Sequence, residues 1–162
     1  MNRRHLLNVS TMTVFGLLAA LGGAIGQHMD EHKFILPQDI KWGPAPPSFP
    51  PGAQVAVLYG DPSMEGMFVL RMKVPKDYYI PPHTHPKPEI VTVISGTTRV
   101  GMGTTADRGA AQAMSVGGFF ALSPSSAHYI FADEDTVVQI NSTGPWGIKY
   151  INAKDDPRQK TQ

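Results

Sequence analysis

Nine short runs of β-branched and aromatic residues, each closed by glycine, proline or a polar turn, fill the chain from Gln54 to Asn152. They span residues 54–59, 68–74, 78–85, 89–95, 97–101, 119–122, 128–132, 137–141 and 148–152. Runs of this length are strand-sized, and no apolar stretch between them keeps helical spacing for the ten or more residues a helix needs. The longest interruption, 103–118, has room for a helical turn at 110–114. With 16 glycines and 15 prolines the chain is punctuated too often for a helical bundle. The pattern predicts an all-β protein, either a barrel or a two-sheet sandwich.

Its 162 residues suffice for one domain with a core and not for two. Hydrophobic residues at 41% against 17% charged rule out a disordered chain. The formal charge of +1, from 14 basic and 13 acidic residues, leaves no basic surface for nucleic acid. Cysteine is absent, which excludes disulfides, thiolate zinc sites, iron–sulfur clusters and cysteine nucleophiles.

Residues 1–26 have the pattern of a secretory signal peptide: basic Arg3 and Arg4, an apolar run over 11–24, and small residues at Ala24 and Gly26 before a polar stretch. The run is shorter than the roughly 20 residues that span a bilayer, so no membrane association is expected once the leader is removed. Asn2-Arg3-Arg4-His5-Leu6-Leu7 also resembles a twin-arginine export signal. Without Arg3 and Arg4 the basic count falls from 14 to 12 against 13 acids, a net charge of −1. The expected location is exported, periplasmic or secreted. Residues 27–52 then form an extended Pro-rich arm, with Phe34, Ile35, Leu36, Trp42 and Phe49 as docking side chains. The barrel follows over 53–153, and the charged tail 154–162 is expected to fray.

The chemistry concentrates near one point. His83 and His85 stand at i and i+2, on one face if the segment is extended, and Pro86 and Pro88 disfavour helix. By the same parity Glu89 returns to that face. Ionisable groups facing a β core are costly to bury alone, and a bound cation offsets that cost. His128 opens a later strand after the turn of Ser123 to Ala127 and is a fourth candidate. His28 and His32 flank Asp30 and Glu31 in what reads as a solvated stretch. The interior faces are expected to be Phe68, Leu70 and Met72, then Val91 and Val93, then Ile130. Tyr79, Gln139, Trp146 and Tyr150 are candidates for the few polar or aromatic contacts, with core packing the expected role of Trp146 and Tyr150.

His83-x-His85-x3-Glu89-x6-Gly96 resembles the first motif of the cupin superfamily, and Gly118-x5-Pro124 followed by His128 resembles the second. Asp77 stands where the first motif opens with glycine, Ser126 replaces a second glycine, Ala132 takes the place of an asparagine, and His128 arrives one residue early. His128 therefore reaches the interior only if its turn absorbs the missing residue. The resemblance implies a single-domain jelly-roll barrel holding one divalent metal on His83, His85, Glu89 and His128. Iron, manganese, nickel, copper or zinc would suit that set, whereas magnesium and calcium prefer all-oxygen shells.

Two classes of function follow. One is a metal-dependent enzyme acting on a small organic substrate, with dioxygenase-type oxidative cleavage favoured over a cupin isomerase, decarboxylase or lyase. Glu89 is the only acid between Asp77 and Asp107, so acid–base chemistry would fall to Tyr79, Tyr129 or Tyr150 as catalytic groups. The other is a non-catalytic envelope module that captures a metal or small ligand. A homodimer through the outer strands or the arm is compatible with either.

Overall fold

The computed structural model describes residues 32–159. The leader at 1–26, residues 27–31 of the arm and residues 160–162 of the tail lie outside the described residues. The chain divides into a short unit, Met1–Lys33, and a body, Phe34–Gln162, which carries all the described secondary structure.

Eleven strands run in the order β1 (Gly43–Pro44), β2 (Gln54–Tyr59), β3 (Gly66–Val74), β4 (Tyr79–Thr84), β5 (Glu89–Ser95), β6 (Thr98–Met102), β7 (Gln112–Met114), β8 (Phe119–Leu122), β9 (His128–Ala132), β10 (Thr136–Gly144) and β11 (Lys149–Tyr150). β3 shows why the sequence settles into strands. Phe68, Leu70, Met72 and Val74 are buried while Val69, Arg71 and Lys73 between them are not, the period-2 pattern of a sheet with one face inward. Phe68 is wholly buried, worth about 1.5–3 kcal/mol over leaving it in water.

All pairings are antiparallel and build two sheets, β1-β2-β3-β10-β5-β8 and β11-β4-β9-β6-β7. The two inner faces enclose one core that includes Phe68, Leu70, Met72, Ile80, Val91, Ile140 and Tyr150. This is the expected all-β jelly roll. Gly96 turns β5 into β6 at φ 77, and a Cβ there would lie 2.4 Å from the Asp135 carbonyl oxygen. Only glycine fits that corner.

Several expectations need correction. Residues 110–114 form no helical turn: Gln112–Met114 is a strand, because β6 leaves an open edge on which Thr98 pairs with Met114. In the arm, Phe34 and Leu36 are exposed and only Phe49 enters the core, although Trp42 lies under the Lys73 ammonium. Of the tail, residues 154–159 are described, and two 3-10 turns, Ala153–Asp155 and Pro157–Gln159, lie there. Asn152 accepts from the Lys154 amide and Arg158 pairs with Asp156, which satisfies the ends locally. Among the described residues no helix is long and apolar enough to cross a membrane.

Candidate metal centre

The site is assembled from both sheets. His83 stands next to the end of β4 and pairs directly with His128 at the start of β9, so both imidazoles point inward from the five-stranded sheet. His85 follows β4 by one residue. Glu89 opens β5 in the six-stranded sheet and faces these histidines across the barrel. The side-chain parity argument from His85 to Glu89 is thus replaced by a different cause: residues 85–88 bend, and the chain crosses between sheets.

The two departures from the motif glycines have local explanations. Asp77 adopts φ 63, the left-handed conformation that glycine takes freely and aspartate tolerates. In the second motif the left-handed residue is Ser125, also at φ 63. Its amide donates to the His85 carbonyl at 2.8 Å, and the Ala127 carbonyl accepts from Gly103 at 2.8 Å. That tight turn absorbs the missing residue and delivers His128 inward, 1% exposed.

The three imidazoles are each oriented by a backbone carbonyl. His83 Nδ1 donates to Pro81 at 2.7 Å, His85 Nδ1 to Gly147 at 2.7 Å and His128 Nδ1 to Ser126 at 3.0 Å. A carbonyl can only accept, so the proton sits on Nδ1 and each Nε2 keeps its lone pair free. One ring nitrogen from each of the three lies within 4.8 Å of the others. Nitrogen–metal bonds are about 2.0–2.1 Å, so nitrogens sharing one ion stand at most about 4.1 Å apart, and the rings would draw together on binding it.

Glu89 completes the group. Its Oε1 lies 3.5 Å from His85 Nε2 and its Oε2 lies 3.1 Å from His128 Nε2. The second contact is short, yet its angles are not those of a hydrogen bond. His85 Nε2, His128 Nε2 and Glu89 Oε2 are left buried without a hydrogen-bond partner. Unpaired buried polar atoms cost about 1–3 kcal/mol each, and three around one point fit a cation better than any alternative made of protein. Burial, reinforced by the His128 and His85 imidazoles, pushes the His83 pKa from 6.5 down to about 2. Burial also lowers that of His85, against the opposing pull of Glu89 and the Gly147 carbonyl. The His83 and His85 rings are therefore neutral and ready to ligate at ordinary pH. Residues His83, His85 and His128 can hold a metal ion.

Behind the histidines lies a cavity of about 40 Å³ walled by Phe49, Met72, Ile80, Val91, Val138 and Ile140 among others. The expected interior residues Phe68, Leu70, Met72, Val91 and Val93 are all buried, and Ile130 is half-buried. The tyrosines are elsewhere. Tyr79 and Tyr129 lie on the outer face of the five-stranded sheet, where Tyr79 stacks on Phe131 and the Tyr129 hydroxyl donates to the Asp107 carbonyl. Alternation dictates this, since Tyr129 follows inward-facing His128. Tyr150 does pack 6.2 Å from His83, but its hydroxyl donates to the Ser48 carbonyl and is held protonated by burial. Gln139 also faces outward and binds Arg71. No tyrosine hydroxyl is placed at the centre.

Of two further neighbours, Trp146 was a candidate contact in the sequence and Phe49 was not legible at the site. Trp146 stacks on His85, with ring centroids 4.3 Å apart and planes within 12°. Phe49, read only as a docking residue, forms part of the cavity wall.

Comparison with known proteins agrees with the fold. Two packed antiparallel sheets with histidines at the barrel interior form a fold also seen in solved RmlC-like cupin structures. The polyketide cyclase RemF from Streptomyces resistomycificus is similar at a TM-score of 0.65 and 15% identity, over 81% of this chain and 93% of that chain. An RmlC-like cupin from Ralstonia eutropha aligns at 0.58 and 21% identity, over 77% and 76%. A candidate acetylacetone dioxygenase from Methylibium petroleiphilum aligns at 0.59 and 16%, over 78% and 85%. The chain belongs to the family described as a domain of unknown function, DUF4437, whose model matches residues 30–149. No curated protein matches it.

Proposed function

We propose that this protein is a mononuclear metal-dependent enzyme acting on a small, uncharged organic molecule, with dioxygen-dependent oxidative cleavage as the reaction. The carrying observation is the set of three carbonyl-oriented imidazoles and one carboxylate with orphaned atoms turned to a single point. His83, His85, Glu89 and His128 are the proposed ligands, and iron, manganese, nickel, copper or zinc the proposed ion. When bound, such an ion supplies an electrophilic site for a substrate oxygen and, if redox-active, a route for dioxygen.

The chain's own residues narrow the choice. Among the described residues Glu89 is the only acid or base lining the cavity besides the histidines, so isomerase or lyase chemistry would have to draw its proton-transfer group from among the ligands. The walls are largely apolar and, Glu89 and the histidines apart, offer no charge to an ionic substrate. The likeness to the candidate acetylacetone dioxygenase supports an oxidative reading and the likeness to the polyketide cyclase a non-redox one; the missing base favours the first.

One experiment decides. Metal content of the purified protein is measured beside oxygen uptake with 1,3-diketones, phenols and keto acids. Near-stoichiometric metal and substrate-dependent oxygen consumption are expected. Metal with ligand-induced stabilisation and no turnover would instead favour a binding module, a reading the small cavity also suits. Absence of metal in a protein able to take up none would refute both.

A further inference from the structure

A second cavity of about 180 Å³ lies between the Pro-rich arm and β2–β3. Its walls include Val55, Val57 and Leu70, with Phe49 and Met72 shared with the cavity behind the histidines. Trp146 lines it as well, and the same indole stacks on His85. The two cavities are thus partitioned by two side chains, and one ring touches both the second cavity and a proposed ligand. Among the described residues no charged one lines the second cavity. The Trp146 indole N–H is buried and has no acceptor among the described residues. An indole nitrogen can only donate, and an unpaired buried donor is costly unless a ligand accepts from it.

We propose that this cavity is a subsite for the neutral, apolar body of the ligand, a single ring or short chain carrying a hydrogen-bond acceptor, with the Trp146 N–H as donor. Its volume suits that size, since a cavity of about 150 Å³ lined by apolar side chains accepts benzene. Phe49 and Met72 form the partition through which the ligand reaches the histidines. Two hydroxyls hold Phe49 in place, Tyr150 on the Ser48 carbonyl at 2.8 Å and Tyr78 on the Pro50 carbonyl at 2.6 Å. The link to the histidines rests on the proposed enzymatic reading; occupancy of the subsite does not.

The test uses the full-length protein, supplemented with zinc so that any bound ion is diamagnetic. It is titrated with 4-methylphenol and with toluene, following heat of binding and the indole N–H resonances of Trp42 and Trp146. Expected are saturable binding of both probes and a shift of the Trp146 resonance with 4-methylphenol. Trp146→Phe should weaken 4-methylphenol about three- to tenfold and leave toluene nearly unchanged. Val57→Trp, at a half-exposed wall position that is no proposed ligand, should abolish both while leaving metal content unchanged. Unaltered binding in Val57→Trp, or saturation without movement of the Trp146 resonance, would overturn the subsite. Binding without metal would sink the enzymatic reading and keep the subsite; metal without binding would do the reverse.

Discussion

Acidifying the metal-free protein should unfold it through the histidines before the surface carboxylates matter. His83 is 2% exposed, and burial with two neighbouring imidazoles holds its pKa at about 2, against 6.5 in the unfolded chain. Below pH 6.5 the unfolded state therefore binds a proton that the folded state refuses. Stability is complete above 6.5 and is lost as the pH falls from there toward the folded value. Each pH unit in that window shifts the folding equilibrium about tenfold against the native state, so pH 4.5 costs about 3 kcal/mol from His83 alone. His85, also lowered by burial, adds to this in the same direction. Against a typical domain stability of about 5–15 kcal/mol the loss is large. Urea titrations in chelator at pH 6.5, 5.5 and 4.5 measure it, with His83→Leu as the control that removes the titrating ring. The urea midpoint should fall steeply in the wild type and less steeply in the variant. A flat midpoint, or the same decline in both proteins, would refute the linkage argument.

Three further outcomes are expected. His85→Ala should abolish metal uptake and, in the metal-loaded comparison, lower stability by several kcal/mol, because it removes a proposed ligand and leaves partners buried and unpaired; elemental analysis beside thermal unfolding checks both. Gly96→Ala should cost at least about 2 kcal/mol, since the left-handed corner and the Asp135 carbonyl both oppose a Cβ, and a denaturation curve reads it directly. Tyr78→Phe should cost about 1 kcal/mol and loosen the arm, seen as faster amide exchange or proteolysis near Phe49 with the barrel unaffected.

Much of the fold was readable along the chain because strand alternation is local. The runs at 54–59, 89–95, 119–122 and 128–132 coincide with strands β2, β5, β8 and β9. The errors fell where partners decide. Gln112–Met114 carries no strong strand pattern and becomes a strand because β6 offers it an edge. Phe34 and Phe49 look alike in a Pro-rich arm, yet only one finds a hole in the core to fill. Tyr150 was rightly placed inside and wrongly given a catalytic hydroxyl, because the carbonyl that captures it belongs to Ser48.

Residue order alone determined which side chains with ligand chemistry this protein owns and that they sit on or beside strands. It also singled out His83, His85, Glu89 and His128 as a group. Only the tertiary structure decided how they meet: Glu89 from the opposite sheet, His128 through a tightened turn at Ser125, and each ring aimed by a backbone carbonyl. Those carbonyls have no signature in sequence, and the contacts that matter join positions far apart, as His85 with Gly147 or Tyr150 with Ser48. Local alternation is set by the pleat of one strand, whereas cavity walls and free lone pairs are set by what two sheets and an arm bring to the same place.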